Sequence, residues 1–246
     1  MSILITTPIH NDDGGASLLA NTAEIIGWEV HKPIGSWRMP DYIRSKDGAV
    51  YGEPLFCEVV ADQMNWTLTS NSYNWLATLP EDYVKRNISF MTLAAARAVV
   101  KNQFVKPIGG NVFTAKVYAD GNELPQHPAL DELPVLVSDK VKFQSEYRCF
   151  VKDREVVSVS CYVYYGTEHL KSNWHFGTEP AIEFVNNLLR DDRVACAPGA
   201  VIDVGKLKDG EMAIIGSKPA YMSDLFGCEI VGSLDAIKAA CVKAIS

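Results

Sequence analysis

Three segments of the 246-residue chain carry the side chains that phosphate chemistry needs. The first is F-V-K-P-I-G-G-N-V-F, residues 104–113. Its apolar lead reads as a buried strand ending in Lys106, whose ammonium can point into a cleft. Gly109 and Gly110 free the next loop to turn backbone N–H groups toward an anion. It is not a P-loop, since no Gly-Lys-Ser/Thr follows. The plain alternative is a strand and a flexible turn, with Lys106 snorkelling to water. The second segment runs from V-L-V-S-D-K-V (135–141) to E-Y-R-C-F-V (146–151). Glu146 and Arg148 are two apart and face one side of a strand. The arginine fork suits phosphate or carboxylate; the alternative is a cross-strand ion pair on a solvated face. The third segment pairs V-I-D-V-G (201–205) with A-I-I-G-S-K-P (213–219). A hairpin there brings Asp203 near a strand on which residues 216 and 218 share a face. A carboxylate so placed can hold a hard cation such as Mg²⁺, or can be a simple turn or capping residue.

Composition limits the partners. Lys and Arg number 23 against 30 Asp and Glu, a formal net charge of −7. An acidic surface argues against a nucleic-acid duplex as the main partner. No run reaches the roughly 20 apolar residues of a membrane helix, so no membrane span is expected. The opening M-S-I-L-I-T-T-P-I-H lacks a basic lead and does not read as a signal peptide. Six cysteines without a C-x-x-C pair point to a reduced, cytoplasmic setting. His169 and His175, beside Trp174, read as surface residues. Lys85 and Arg86 read as a solvated face near the expected cleft. Arg38, Arg44 and Lys46 are placed to recognise an acidic substrate.

The elements that must position these groups follow from pattern. Ser2–Ile9 reads as a strand and Asn11–Gly15 as a turn. Ala16–Ile26 reads as a helix stopped by Gly27, with a second strand from Trp28. Residues 33–52 are turn-rich, and Leu55–Gln63 is helical. A helix start at Leu79–Asp82 and an Ala-rich helix over Thr92–Lys101 precede a change of character. Residues 104–107, 114–118, 135–138, 146–151 and 156–164 are strand-like. A helix at Pro180–Leu189 is followed by strands 201–204 and 212–215, which flank Asp209-Gly210, a strong turn signal. The closing helix covers Leu234–Ile245 and begins near Ser233. The class is α+β.

In this order the segments resemble the ATP-grasp fold, and are most similar to small ATP-grasp proteins of bacteria and their phages. The shared features are F-V-K-P with its glycine loop, V-L-V-S, E-Y-R-C-F-V, V-I-D-V-G, and Lys218-Pro219-Ala220 followed by Leu225-Phe226-Gly227, over residues 75–231. The resemblance implies an ATP-grasp domain at 79–246, with two α+β subdomains gripping the nucleotide, after a small α/β pre-ATP-grasp domain at 1–78. It implies ATP and Mg²⁺ as cofactors. The implied activity is that of an ATP-dependent carboxylate–amine ligase that forms an acyl phosphate, on small-molecule or peptide carboxylates and amines. Lys106 would contact the nucleotide near the α-phosphate and adenine. Gly109 and Gly110 would lie in a loop closing over the phosphates. Val137 to Lys140 would be the hinge giving backbone hydrogen bonds to adenine, with Asp139 reaching the ribose. Arg148, oriented by Glu146, would meet the γ-phosphate, and Asp203 would bind magnesium.

One departure stands out. Where the family carries Glu-x-Asn on the penultimate strand, this chain has Gly216 and Lys218. Glycine has no ligating side chain, and a charged lysine has no acceptor. Two readings follow. Lys218 stands in for part of the cation in a catalytic role, or the chain is a weak or inactive nucleotide-binding protein that keeps the fold. Asp224 would offer a displaced carboxylate.

Overall fold

The computed structural model describes residues 1–6, 14–110, 112–169 and 177–244. The turn expected at Asn11, the end of the first strand, Trp174, His175 and Ile245 lie outside them.

The chain opens with a parallel α/β unit. β1 (Ile3–Thr6) is followed by α1 (Gly15–Ile25), β2 (Glu29–His31), β3 (Gly48–Tyr51), α2 (Pro54–Met64) and β4 (Trp66–Leu68). The sheet order is β2-β1-β3, with both pairs parallel. A central parallel strand is covered on both faces and reads as a continuous apolar run. Accordingly Leu4 packs with Leu19 and Ala23 of α1, while Ile3 and Ile5 pack with Phe56 and Val60 of α2. β3 corrects the expectation of turns alone over 33–52. Its four residues are buried by pairing with β1, which local composition does not reveal.

Two one-turn helices, α3 (Trp75–Thr78) and α4 (Glu81–Val84), come next. The helix expected from Leu79 stops after one turn because Lys85 adopts a left-handed φ of 53°. Then come β5 (Ile88–Thr92), α5 (Leu93–Val99), β6 (Lys101–Pro107), β7 (Lys116–Asp120) and β8 (Pro134–Ser138). Thr92 caps α5 through Ala95 N–H. These strands form an antiparallel sheet in the order β5-β8-β6-β7.

The remaining elements are β9 (Phe143–Lys152), β10 (Glu155–Tyr164), β11 (Thr167–Glu168), α6 (Glu179–Arg190), β12 (Gly199–Leu207), β13 (Met212–Pro219), α7 (Ile230–Ala239) and β14 (Cys241–Lys243). A five-stranded antiparallel sheet runs β11-β10-β9-β12-β13. Side chains alternate across it. Tyr147, Cys149, Ile202 and Val204 pack under Val185 and Leu188 of α6, while Phe150 and Val201 pack under Leu234 and Ile237 of α7. All six cysteines are unpaired.

The closing helix corrects the sequence reading at both ends. It starts at Ile230, because the Glu229 carboxylate accepts from the Val231 and Gly232 N–H groups. It ends at Ala239, because residues 241–243 pair antiparallel with β4. The tail of the chain therefore ties into the opening unit, and α1, α7, Phe150 and Val201 share one core. Trp75 of α3 likewise packs in the core under α6. Two core clusters thus join residues from both sides of residue 78.

Gly199 seats α7 on the sheet. A Cβ there would lie 2.2 Å from the Ala236 carbonyl oxygen and 2.3 Å from the Ala240 nitrogen, both backbone atoms. Gly199→Ala is expected to cost about 1–3 kcal/mol, the usual toll of overpacking. The measurement is the urea midpoint at constant slope. A midpoint unchanged from the parent would mean that α7 sits farther from β12.

Candidate functional site

Lys106 lies near the end of β6, whose alternation sends Val105 into the core beside Leu93 and Ala96. Lys106 emerges on the opposite face, exposed. Gly109 and Gly110 follow with φ of 83° and 150°, and a Cβ at either would meet nothing within 4 Å. The loop is open and takes a backbone that other residues enter at a cost.

Part of the expected hinge, 137–140, is taken up by the sheet. Val137 lies inside β8, paired with Ser89 on one side and Val105 on the other, so its backbone belongs to the sheet ladder. Asp139 N–H donates to the Asn87 carbonyl. The Asp139 carboxylate accepts from the Asn87 backbone and side chain at 3.1 and 2.6 Å, and from Gln103 at 3.3 Å. The hydrogen bond from the Asn87 side chain leads in holding its pKa below the ordinary aspartate value. The Asp139 oxygens, expected at the ribose, fasten this segment to Asn87, just before β5, and to Gln103 of β6. Among the described residues Lys140 and Val141 make no backbone hydrogen bond. These are the groups left for an adenine edge.

Arg86, read from sequence as part of a solvated face, is instead half-buried at this hinge. Its Nε donates to Ser138 Oγ at 3.0 Å, and its Nη1 donates to the Val84 and Ile214 carbonyls at 2.7 and 2.9 Å. One guanidinium thus pins the end of β8 to β13, that is, one sheet to the other. Burial pulls its pKa down to about 10, against the pull of Asp139. No pattern in the sequence marked it; a lone Arg beside a Lys is common on surfaces.

Arg148 is 1% exposed and lies opposite Asp203 in the β9–β12 ladder. Its Nε and Nη2 donate to the two Asp203 carboxylate oxygens at 2.9 and 2.8 Å, and its Nη1 donates to the Asp224 carbonyl at 2.7 Å. Phe226 and Tyr162 stack on it at 4.0 and 5.6 Å from the ring centroids. Burial pulls the Arg148 pKa down, but the Asp203 bonds and charge outweigh it, so the net shift is upward. Glu146 does not orient Arg148, as the resemblance implied; its carboxylate accepts from Tyr162 Oη at 2.7 Å. The group that orients Arg148 is Asp203, and the cross-strand ion pair is buried rather than solvated.

Gly216 pairs directly with Asp203 across the β12–β13 ladder, and Lys218 pairs with Val201. The two share the face of Asp203, as the hairpin spacing predicts. A Cβ at Gly216 would meet nothing within 4 Å. Lys218 reaches solvent and forms no ion pair among the described residues. Dense protein around it lowers its pKa, first through lost hydration and then through the nearby Arg148; Lys106 acts in the same direction. Lys106 stands on the four-stranded sheet and Lys218 on the five-stranded sheet, and both are exposed. A partly open cavity of about 110 Å³ lined by Tyr147, Tyr164, Lys206 and Met212 lies on the α6 face of the sheet, opposite the face of Lys218.

Residues 83–235 match a family model described as an ATP-grasp domain, family 2 of its clade. The chain belongs to this ATP-grasp family. No curated protein sequence matches it. Among solved structures it is similar to the D-cycloserine synthetase DcsG, with 16% identity, TM-score 0.58, and 97% of this chain and 99% of that one covered. It is also similar to the ATP-grasp ligase PsnB with a phosphomimetic precursor, Mg and ADP, at 16% identity, TM-score 0.54, and 98% and 99% coverage. The N5-carboxyaminoimidazole synthase of Aspergillus clavatus, with ADP and 5-aminoimidazole ribonucleotide, aligns at 12% identity and TM-score 0.55, over 97% of this chain and 76% of that one. At these identities the likeness is one of fold.

A nucleotide suits the residues of this ATP-grasp domain: open backbone groups at Lys140–Val141, glycines with open space around them and two ammonium groups in no ion pair among the described residues. Mg²⁺ does not. Asp203 has both oxygens on Arg148, Gly216 has no side chain, and Lys218 is a cation. Among the described residues no three His, Cys, Asp or Glu side chains gather. Of the basic residues expected on the opening unit, Arg44 is taken up by the Met39 carbonyl and Asp41, and Lys46 by Glu29. Among the described residues no helix is long and apolar enough to cross a membrane.

Proposed function

We propose that the protein is an ATP-dependent carboxylate–amine ligase of the cytoplasm that works through an acyl phosphate, on a small-molecule or peptide acid and amine. The observation that carries this is an ATP-grasp domain that exposes Lys106 at the end of β6 and Lys218 on β13, neither of them in an ion pair among the described residues. Ammonium groups outside ion pairs attract a polyphosphate, and the ATP-grasp fold supplies the matching hinge. Six unpaired thiols suit a reducing compartment.

In this reading the substrate carboxylate oxygen attacks the γ-phosphorus and ADP leaves. The amine then attacks the acyl carbon, phosphate leaves, and the amine gives up a proton. Phosphoryl transfer of this kind depends on positioning and charge neutralisation. Lys106 and Lys218 supply the positive charge. The Gly109–Gly110 loop excludes water over the phosphates. Arg148 and Asp203 hold the floor of the site, and Arg148 keeps the 224–227 turn beside it through the Asp224 carbonyl.

Hydroxylamine trapping tests the reading. With ATP, hydroxylamine and pools of amino acids, small carboxylic acids and peptides, the protein is expected to give a hydroxamate and an equal amount of ADP. ATP turnover that yields phosphate without any hydroxamate, at the same rate with and without acids, would count against acyl-phosphate chemistry.

A further inference from the structure

We infer that the phosphate end of this site binds metal-free nucleoside di- or triphosphate through the Lys218 and Lys106 ammonium groups, without a divalent cation held by the protein; this builds on the nucleotide-binding reading above. The one carboxylate in the strand pair that lines the site, Asp203, is 8% exposed and has each oxygen on a separate nitrogen of Arg148. A metal on its remaining lone pairs would have to sit in a buried site beside the Arg148 guanidinium, whose positive charge repels a second cation. Its partner across the ladder, Gly216, contributes no ligand. Asp224 is exposed and close enough to influence Lys218, but it is single, and Mg²⁺ demands a near-complete octahedron of oxygens.

The charge count favours lysine as the substitute. A divalent cation on one carboxylate adds one net positive charge at the phosphates. With Asp203 neutralised by Arg148, the Lys218 ammonium adds the same net charge and brings three donors for phosphate oxygens. The sign of the magnesium effect then reverses. In solution Mg²⁺ chelates the same phosphate oxygens, so it competes with the ammonium groups and leaves affinity unchanged or weakened. A carboxylate-anchored site requires the metal instead.

The test is calorimetric titration of the intact protein with ADP, in EDTA and in millimolar Mg²⁺, beside adenosine as a probe without phosphate. The Kd for ADP in EDTA is expected to be no more than about threefold weaker than with Mg²⁺, and a larger weakening overturns the inference. Lys218→Met is expected to weaken ADP binding in EDTA by about tenfold or more while adenosine binding stays as it was; equal ADP affinity in parent and variant overturns it. Lys218→Arg keeps the charge and is expected to retain most of the affinity, which covers a methionine variant that misfolds. Adenosine binding as tightly as ADP would remove the phosphate site but leave the cleft. Failure of both adenosine and ADP to bind under either condition would remove the nucleotide-binding reading itself.

Discussion

Arg148→Met is expected to destabilise the fold by about 3–5 kcal/mol, the cost of leaving a buried charge without its partner. The loss comes from Asp203, which would keep a carboxylate among Phe226, Tyr162 and the β9–β12 ladder with neither oxygen satisfied by the fork. The Asp224 carbonyl loses a donor as well. Arg148→Lys is expected to recover only part, since an ammonium is a point donor and cannot span two oxygens and a third acceptor in the plane of a guanidinium. The double variant Arg148→Met with Asp203→Leu is expected to be more stable than Arg148→Met alone, because a buried ion pair replaced by apolar groups of similar volume often costs little. Urea unfolding of the three variants reads this directly. A change within about 0–1 kcal/mol for Arg148→Met would class the pair with solvated surface bridges and contradict its burial.

ATP at a hundredfold excess over its Kd is expected to stabilise the protein by about 2.7 kcal/mol, because the ligand binds the native state alone. For a chain of this size that raises the melting temperature by roughly 5–10 °C. Lys106→Ala is expected to remove most of the rise at the same ATP concentration while leaving the melting temperature without ATP nearly unchanged. The side chain is exposed and has no partner among the described residues, so the fold loses little without it. An equal rise in parent and variant would place the nucleotide away from β6.

The fold class and the strands that carry the candidate residues were legible because chemistry and period coincided. F-V-K-P, E-Y-R and V-I-D-V-G each join an apolar strand period to one or two charged residues, and each became a strand with its charge on one face. What escaped was set by distant partners. β3 is a strand because β1 lies beside it, and β14 ends a helix because β4 is available to pair. The buried pairing of Arg148 was hidden because the sequence displays its fork but not Asp203, 55 residues away. The partners of Asp139 were hidden because Asn87 and Gln103 come to it from distant parts of the chain. Arg86 carried no local signal; its role follows from the meeting of β8 and β13, which only the folded chain supplies.

The Gly216 and Lys218 positions were legible as a departure, and the structure adds the geometry that gives it weight. Gly216 faces Asp203 across the ladder with open space where a Cβ would stand. The change Gly216→Glu with Lys218→Asn is therefore sterically open, and is expected to make nucleotide binding depend on Mg²⁺, read by the same titration with and without EDTA. Binding that ignores the metal in the double variant as it does in the parent would mean that this strand does not border the phosphates.

The most direct measurement is a crystal structure of the protein with ADP. Adenine is expected against the Lys140–Val141 backbone and the phosphates between Lys106 on β6 and Lys218 on β13, with Arg148 still closed on Asp203. ADP seated elsewhere, for instance in the cavity under Tyr147 and Lys206, or phosphates bound by neither lysine, would contradict the account.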